Sequence, residues 1–463
     1  MPNSDAPLPA APGESDQGGE QDDRAELPEI VAPPPGPRSR SALERLERVE
    51  CPAFGRRREA RAQKSGADML PIVLAHGRGA NVYDVDGNRY VDLCAGFGAL
   101  LLGHAAAPVR RAAEAQLSRL TLALGDVYSA DVKVALLERL AALHPGPSPM
   151  TLLGQSGSDA VTAAIKTAAL ATGRPGLVAF EGAYHGLGYA PLAACGLRES
   201  YRAPFAEQLN RRVTFAPYPR DEAGAARSID AVEAALRGGE VGAVLLEPIL
   251  GRGGCVVPPD GFVRAICDAA RRRGALVIAD EIWTGLGRSG AVTRTGAIGA
   301  PADILCFGKG LGGGLPISAC VAPEPIMRAW AREAEVVHTS THSGSPLAAS
   351  AALATLDALD AGQLAARSRD VGARFQATLR EALARAAGVV EVRGAGLMVG
   401  VELASPELGL RVMRGMLAEG YLVLTGGVRG ETLTLTPALT IPEALLSAAA
   451  GALARVLAAS AAA

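Results

Sequence analysis

The sequence contains very little lysine. Lysine accounts for four of the 46 basic residues, at positions 64, 133, 166 and 309, and the others are arginine. Arginine stays protonated in proteins, so chemistry that needs a neutral amine must use one of these four residues. The seven cysteines include no Cys-x-x-Cys pair, and the six histidines lack the spacing of metal ligands. We therefore expect no disulfide framework and no metal site.

An excess of one charge and a long apolar run are also missing. The net charge of −2 gives no electrostatic reason to expect nucleic acid or an anionic membrane as a partner. No uninterrupted apolar run is long enough to span a bilayer, and the N-terminus is acidic and proline-rich, unlike a signal peptide. We expect a cytoplasmic protein. Its 463 residues suit two domains, or one large domain with a lesser one.

Lys309 stands where an apolar run of strand type ends and glycines begin, within residues 302–315. Glycines let backbone or a flat ligand approach closely, and an apolar setting lowers the pKa of an amine. These are the conditions that a lysine needs to form a Schiff base with a carbonyl compound. We therefore predict that Lys309 is the catalytic lysine.

A second apolar run, at residues 274–279, ends at Asp280. Open α/β sheets bind ligands beyond the carboxyl ends of their strands, so this carboxylate and Lys309 are expected at the same edge. Pyridoxal phosphate (PLP) needs such a pair, because an amine binds its aldehyde and a carboxylate keeps its ring nitrogen protonated. The alternative for Asp280 is a surface ion pair.

The chain organisation follows from composition and periodicity. Residues 1–37 are rich in proline and acidic side chains and are expected to be disordered, and a basic, helix-prone stretch covers 41–64. Residues 82–93 alternate around Asp86-Gly87, which predicts a hairpin, and helical periodicity marks 107–120 and 132–143. Beyond Ser158, apolar strands alternate with helices such as 261–273, which predicts a mainly parallel sheet flanked by helices.

From about Pro71 to the C-terminus the chain resembles the class III aminotransferases, the PLP-dependent family of 4-aminobutyrate and ornithine type. Several motifs carry the resemblance by their order and spacing: Ser156-Gly157-Ser158-Asp159-Ala160, Tyr184-His185-Gly186, Glu247-Pro248-Ile249, Asp280-Glu281-Ile282, Lys309 among its glycines, and Thr341 before Gly344 and Pro346.

The resemblance implies PLP fold type I, an α/β fold with a large domain and a smaller α+β domain. We expect a disordered tail and linker at 1–65, a small domain made of 66–106 and 360–463, and a large PLP-binding domain at 107–359. It also implies a homodimer with shared active sites, because Thr341 matches a threonine that reaches the phosphate of the neighbouring subunit's cofactor.

The resemblance assigns four further residues to the cofactor. Gly157 and Ser158 match the pair that holds the PLP phosphate, at the start of a helix expected from Ala160. The alternative for Ser158 is an ordinary N-cap. Tyr184 matches the aromatic that stacks on the pyridine ring, with a core tyrosine as the alternative. Ile282 matches the aliphatic side chain on the opposite face of the ring.

Four residues are candidates for substrate contacts. Trp283 replaces a glutamine that is common in the family, and either shapes the pocket or simply packs. Leu187 stands where relatives acting on 4-aminobutyrate carry an arginine. Glu247 loses its usual arginine partner, because Thr434 stands at that position, and Arg429 could swing in instead. We therefore expect a substrate that is neutral and largely apolar at its reacting end.

The activity implied is transamination by ping-pong exchange between an amine or amino acid and a keto or aldehyde acceptor, with Lys309 as the base and Asp280 stabilising the ring. Residues 157–160 also resemble PLP-dependent amino-acid epimerases or racemases of the same fold, which remain the alternative. A non-catalytic relative that keeps the fold fits poorly with the presence of both Lys309 and Asp280.

Overall fold

The computed structural model describes residues 26–332 and 335–462. Its strands are β1 Leu74–Arg78, β2 Asn81–Asp84, β3 Arg89–Asp92, β4 Pro149–Gly154, β5 Gly176–Phe180, β6 Val213–Ala216, β7 Val241–Leu246, β8 Leu276–Asp280, β9 Ile304–Phe307, β10 Ser318–Pro323, β11 Val389–Ala395, β12 Met398–Leu403, β13 Tyr421–Leu422, β14 Leu424–Gly426 and β15 Thr432–Leu435.

The α-helices lie between and around these strands. They are α1 Pro37–Glu47, α2 Pro52–Ser65, α3 Ala95–Gly98, α4 Ala107–Leu117, α5 Asp131–Ala141, α6 Gly157–Thr172, α7 Tyr189–Ala193, α8 Glu199–Arg202, α9 Glu222–Arg237, α10 Phe262–Arg272, α11 Arg294–Ala297, α12 Glu324–Met327, α13 Pro346–Ala361, α14 Leu364–Leu383, α15 Pro406–Ala418 and α16 Glu443–Ala462. Short 3-10 turns occur at Ala203–Gln208, Lys309–Gly312 and Arg328–Ala331.

The largest sheet has seven strands in the order β4-β10-β9-β8-β7-β5-β6. Neighbouring strands from β9 to β6 run parallel, whereas β10 is antiparallel to both β4 and β9. Successive residues of β7 pack into two different apolar clusters, because side chains alternate between the two faces of a strand. Both faces of the sheet are therefore covered, which confirms the predicted α/β fold with a mainly parallel sheet.

The carboxyl ends of β8 and β9 meet at one edge of this sheet. Asp280, the last residue of β8, pairs with Cys306 of β9, and β9 ends one residue later at Phe307. Lys309 follows after Gly308. The two charged residues singled out in the sequence thus lie on adjacent strand ends, as expected for a ligand site in an open α/β sheet.

Two smaller sheets lie at the ends of the chain. One has the order β1-β2-β3-β13 and contains the predicted hairpin, with β2 antiparallel to β3. The other has the order β11-β12-β15-β14. The strands of both sheets fall within 66–106 and 360–463, the residues expected to form the small domain, and the domain division itself stays a prediction.

Residues 26–65 differ from the expected disordered tail and linker, because they form α1 and α2 and a segment bound to the hairpin. Glu29 and Arg89 exchange backbone hydrogen bonds. The Asn81 and Asn88 side chains accept from main-chain N–H groups of residues 26, 31 and 32. The prediction was wrong here because hydrogen bonds order this segment, whereas composition reports only its small apolar surface. Residues 1–25 of the expected tail lie outside the described residues.

Helix α16 is long and apolar enough to cross a membrane by length and composition. No single run in the sequence had indicated this, because polar residues interrupt it. The helix packs against α14 and α15, and its buried side chains include Leu446, Leu453 and Leu457. This packing is typical of a core helix, and length alone is weak evidence for a membrane span.

Candidate active site

Lys309 sits in a strained and tightly packed backbone. Its φ of 39° lies in the left-handed region, which a residue other than glycine adopts at an energetic cost. The next residue, Gly310, lies against Leu101, and a Cβ added at Gly310 would be 2.4 Å from a Leu101 methyl carbon. The glycines around the lysine are therefore required by close packing, as the sequence had indicated.

The amine of Lys309 lies 4.7 Å from the centre of the Trp283 ring. Burial lowers the pKa of this amine, and the positive charge of Arg252 adds to the effect. The carboxylates of Asp280 and Glu247 act in the opposite direction. The balance favours a neutral amine more than in water, which suits a base or nucleophile.

Asp280 is held by two hydrogen bonds at the end of β8. Its Oδ2 lies 2.7 Å from Nδ1 of His185, and its Oδ1 accepts the main-chain N–H of Ile282 at 3.1 Å. Both side chains of the His185–Asp280 pair are buried. In the sequence His185 stands out only as the centre of the Tyr184-His185-Gly186 motif, and this contact was not predicted.

The phosphate candidates form the first turn of α6. The helix begins at Gly157, three residues before the expected Ala160, and its N-cap is Ser156, which forms a capping box with Asp159. The alternative role of Ser158 as the N-cap is therefore wrong. Its Oγ instead accepts the N–H of Gly188 at 3.1 Å. The free N–H groups of this turn can hold an anion.

Ile282 and Ser158 connect the motifs at close range. A Cβ on Gly157 would lie 2.8 Å from Cδ1 of Ile282, and one on Gly308 would lie 3.3 Å from its Cγ2. Gly186, with a φ of 111°, approaches Ser158 so closely that a Cβ there would be 2.8 Å from the serine Cβ. The first turn of α6, the end of β8, the lysine loop and the Tyr184 motif thus surround one site.

Trp283 fills the space between two glycines. A Cβ on Gly98 or on Gly251 would lie 2.3 Å from the indole ring. The ring is 9% exposed, and its Nε1 is buried without a hydrogen-bond partner in the described part of the chain. Trp283 therefore packs in the protein and also faces the lysine amine, so the two interpretations of this residue are not exclusive.

Glu247 is buried and fully engaged by the backbone. Its Oε1 accepts the N–H of Tyr184 at 2.8 Å, and its Oε2 accepts the N–H of Gly251 at 2.9 Å. Burial raises the pKa of Glu247 to about 7, an effect that His185 opposes and Asp280 reinforces. Glu247 thus has partners without an arginine, and it fixes the Tyr184 backbone.

The remaining candidates lie further out. Leu187 is exposed, and the Arg429 side chain is two-thirds exposed, 3.9 Å from Glu431. Thr341 is exposed as well, and the Oγ of the adjacent Ser340 accepts a hydrogen bond from Gln155 at 2.8 Å, just before α6. The structure therefore does not bring Leu187 or Arg429 against Lys309.

Arg252 is a site residue that was not predicted from the sequence. Its guanidinium carbon lies 4.6 Å from the centre of the Tyr184 ring, a cation–π contact. The available signal was its position in Gly251-Arg252-Gly253-Gly254, shortly after the Glu247-Pro248 motif.

Comparison with known proteins identifies this arrangement. The family model described as "Aminotransferase class-III" matches residues 62–457. The chain belongs to the class III aminotransferases. It is 34% identical to a 4-aminobutyrate aminotransferase of Mycobacterium tuberculosis strain H37Rv, over 84% of this chain and 92% of that protein. It is also 34% identical to an acetylornithine aminotransferase of Methanothermobacter thermautotrophicus, over 84% and 94%.

Solved structures agree with the sequence comparisons. An amine transaminase from an uncultivated Pseudomonas species, in its PLP-bound form, superposes with a TM-score of 0.76 and 30% identity over 84% of this chain and 94% of that chain. A Toxoplasma gondii ornithine aminotransferase gives 0.77 and 27%, over 90% and 97%. The family, the fold type and the transaminase class that were predicted from the sequence are thus confirmed.

Class III aminotransferases depend on PLP, and the residues present fit that cofactor. An amine of lowered pKa, a buried carboxylate and the first turn of a capped helix lie around one site. Two buried nitrogen atoms there, Trp283 Nε1 and His185 Nε2, have no hydrogen-bond partner among the described residues. Unpartnered buried polar atoms are unusual in proteins and fit a site built for a polar ligand.

Proposed function

We propose that this aminotransferase transfers an amino group between an amine that is neutral and largely apolar at its reacting end and a keto or aldehyde acceptor, by ping-pong exchange. The observation that carries the proposal is the buried amine of Lys309 beside Asp280 and the Trp283 ring, with Leu187 and Thr434 in place of arginines. The proposed homodimer and the cytoplasmic location rest on the family resemblance and the composition alone.

Lys309 would bind PLP and then act as the base. Desolvation keeps a larger share of its amine neutral, so the amine can accept a proton from the substrate carbon that carries the amino group. The protonated amine can then give that proton up again later in the catalytic cycle. When bound, PLP accepts the electrons left by that proton and carries the amino group between the two substrates. The left-handed backbone of Lys309 fixes the direction of its side chain.

Asp280, Tyr184 and Ile282 would hold the ring, and Gly157 and Ser158 would hold the phosphate. His185 positions the Asp280 carboxylate through the contact at 2.7 Å, so that the carboxylate can face the ring nitrogen. The first turn of α6 supplies main-chain donors and the positive end of a helix of 16 residues. The partner subunit's Thr341 would complete the phosphate site.

The proposed substrate preference rests on three side chains, those of Trp283, Thr434 and Glu247. Trp283 offers an apolar face, and Thr434 is buried on β15, where its hydroxyl donates to the Leu424 carbonyl. Both oxygens of Glu247 already accept main-chain hydrogen bonds. Positions 187 and 434 therefore do not offer a substrate carboxylate the bidentate arginine partner that makes such binding strong, and the Arg252 guanidinium stacks on the Tyr184 ring.

The test is a set of half-reactions followed by the absorbance of the cofactor. The PLP-loaded protein is mixed with 4-aminobutyrate or with n-butylamine, and kcat/KM is compared. We expect n-butylamine to be preferred by about tenfold, because a carboxylate held without a charged partner forfeits about 1.5 kcal/mol or more. A clear preference for 4-aminobutyrate would show that another arginine holds its carboxylate.

A full-turnover assay with an added keto or aldehyde acceptor separates transamination from epimerisation. A transaminase consumes a keto acid or aldehyde in proportion to the amine, whereas an epimerase returns the proton to the same carbon and consumes neither. The relatives and structures described above are aminotransferases. Stoichiometric consumption of the acceptor is therefore the expected result.

A further inference from the structure

The Lys309 amine lies over the flat face of the Trp283 indole. Its nitrogen is 4.7 Å from the centre of the ring. A cation within about 6 Å of the centre of an aromatic ring is attracted by the negative charge of the ring face, and tryptophan attracts cations more strongly than the other aromatic side chains. The contact therefore has the geometry of a cation–π interaction whenever the amine is protonated.

Close packing fixes the orientation of the indole. A Cβ on Gly98 would overlap Nε1 of the indole, and a Cβ on Gly251 would overlap its Cε3. The ring is thus held at both its five-membered and its six-membered part. Trp283 also belongs to a buried cluster with Ile249 and Met398. Turning the face of the ring away from the lysine would therefore require a shift of the backbone.

One segment of the chain contacts both partners. Gly98 lies against the indole, and Leu101, three residues later, lies against Gly310, the residue after the lysine. Residues 95–98 all have a positive φ, which the two that are not glycine adopt at an energetic cost. This strained segment fixes the ring relative to the lysine loop, so the packing of the protein maintains the contact between the amine and the indole.

The charged groups near this amine act on it in both directions. Burial and the Arg252 guanidinium favour the neutral amine, whereas the Asp280 and Glu247 carboxylates favour the ammonium form. His185, a further titratable side chain at the site, is bonded to Asp280. A base must be neutral before it accepts a proton and stable as a cation afterwards. An aromatic face suits both states, because it attracts the cation far more than the neutral amine.

We propose that Trp283 is a direct partner of the catalytic base, and that its indole face holds the Lys309 ammonium group after the amine has taken the proton from the substrate carbon. The inference rests on the proposed transaminase function, in which Lys309 moves that proton. The proton passes from carbon to the amine nitrogen, and the electron pair of the broken C–H bond is the one that bound PLP accepts. The glutamine that is common at this position in the family offers no such face.

The first experiment measures the protonation of Lys309 without turnover. The full chain is prepared with isotopically labelled lysine, so that NMR detects only four side chains, and the Lys309 signal is identified by its loss in Lys309→Arg. The protein is loaded with pyridoxamine phosphate, the aminated form of the cofactor, which has no aldehyde and leaves the lysine amine free to titrate. The midpoint pH of the Lys309 signal is then recorded.

Fluorinated tryptophans weaken the ring face and change its shape little. The protein is produced with monofluoro-, difluoro- or trifluorotryptophan, which withdraw electron density from the face in steps. We expect the Lys309 midpoint to fall with each added fluorine, by about one pH unit in total. The monofluoro protein differs least from the parent and already shows the direction of the shift. An unchanged midpoint would overturn the proposal, because a ring that only excludes water acts equally in all these proteins.

Two variants make the result specific to position 283. The chain has a second tryptophan, Trp330, whose Nε1 donates to the Thr167 hydroxyl at 2.9 Å. In Trp283→Phe only Trp330 carries fluorine, so the Lys309 midpoint should no longer respond to fluorination. In Trp330→Phe the response should equal that of the parent. A response that persists in Trp283→Phe would show that the fluorine acts from elsewhere and would contradict the assignment.

A kinetic measurement connects the contact with the reaction. The PLP-loaded proteins are mixed with n-butylamine that carries deuterium on the carbon next to nitrogen, which makes proton transfer slow, and the half-reaction is followed by cofactor absorbance. The trifluoro protein should react about two- to fivefold more slowly than the parent, because a less stable ammonium makes proton transfer less favourable. Equal rates would overturn the proposal. If neither n-butylamine nor 4-aminobutyrate reacts, the proposed function fails, while the NMR titration still decides whether the ring holds the ammonium.

Discussion

His185 Nδ1 lies 2.7 Å from Oδ2 of Asp280, and both side chains are buried at the end of β8. The two residues are 95 positions apart in the chain. Because Ile282 holds the other carboxylate oxygen through its N–H, the Asp280 carboxylate has little freedom to rotate. His185 is therefore a positioning residue for the group proposed to face the cofactor ring.

Replacing His185 by alanine should weaken PLP binding and turnover by roughly 10- to 100-fold, because a hydrogen bond to a charged group contributes about 1.5–3 kcal/mol. The measurements are the dissociation constant for PLP and the absorbance maximum of the bound cofactor. His144→Ala is the control, since His144 is also buried but bonds to Gly146 and Asp303 instead. An unchanged spectrum and affinity in His185→Ala would argue against this role.

Borohydride treatment of the PLP-loaded protein should attach the cofactor to one peptide, the one that contains Lys309, and Lys309→Ala should abolish turnover. The reason is that its amine alone combines burial with the Asp280 carboxylate. Lys133 and Lys166 donate to the carbonyls of Gly125 and Val337, and their alanine variants serve as controls. Peptide mass spectrometry showing the label on another lysine would refute the assignment.

Hybrid dimers test whether two chains share each active site. One chain carries Lys309→Ala and the other Thr341→Ala, so that both lesions fall in the same site if Thr341 serves the partner's cofactor. About half of the parental activity is then expected per dimer, because the second site has neither lesion. Thr341 is exposed on the single chain, which a contact with a second chain would require. Activity equal to that of the single-variant dimers would contradict shared sites.

The stability of the protein without PLP should depend on the protonation of Glu247. Burial raises the pKa of Glu247 from 4.5 to about 7, so the folded state binds this proton more tightly than the unfolded state does. The contribution of protonated Glu247 to the free energy of unfolding is therefore lost as pH rises from 4.5 to 7.

Glu247→Gln removes that dependence. The unfolding free energy of Glu247→Gln minus that of the parent should increase as pH rises from 5 to 8, by at most about 3 kcal/mol. Urea unfolding at several pH values measures the difference. The exposed Glu222, replaced by glutamine in the same way, is the control. A pH-independent difference between parent and Glu247→Gln would show that the carboxyl titrates normally.

Gly251→Ala should destabilise the protein by about 1–3 kcal/mol, because the added methyl group overlaps the Trp283 ring. In the Trp283→Ala background the same change should cost less, which a double-mutant cycle of unfolding free energies will show. Gly238→Ala is the control, because nothing lies within 4 Å of the added atom there. If the changes in unfolding free energy of the two substitutions were strictly additive, the Trp283 ring would be moving away from the added methyl group at no cost.

The sequence was informative where a charged residue interrupts an apolar run. Asp280 and Lys309 were identified in this way, and parallel neighbouring strands bring their ends together, so their proximity followed from the predicted topology. The hairpin of β2 and β3 was predicted for a similar reason, since its alternation and its Asp86-Gly87 turn are local signals.

Contacts between distant segments were beyond such reasoning. His185 gives no local sign that it meets Asp280, which is 95 positions away in the chain. Residues 26–32 were missed because main-chain hydrogen bonds, which composition does not report, attach them to the hairpin. The start of α6 was misplaced because Ser156, two residues before Ser158, is the actual cap.

The left-handed backbone of Lys309 has a consequence for how the chain evolves. A glycine would adopt a φ of 39° without penalty, whereas a side chain there costs about 1–3 kcal/mol. In a descendant protein that no longer needs the reaction, replacing this lysine by glycine would therefore increase the stability of the fold. Selection for catalytic turnover opposes that replacement, so the residue at position 309 should distinguish active enzymes from non-catalytic relatives of the same fold.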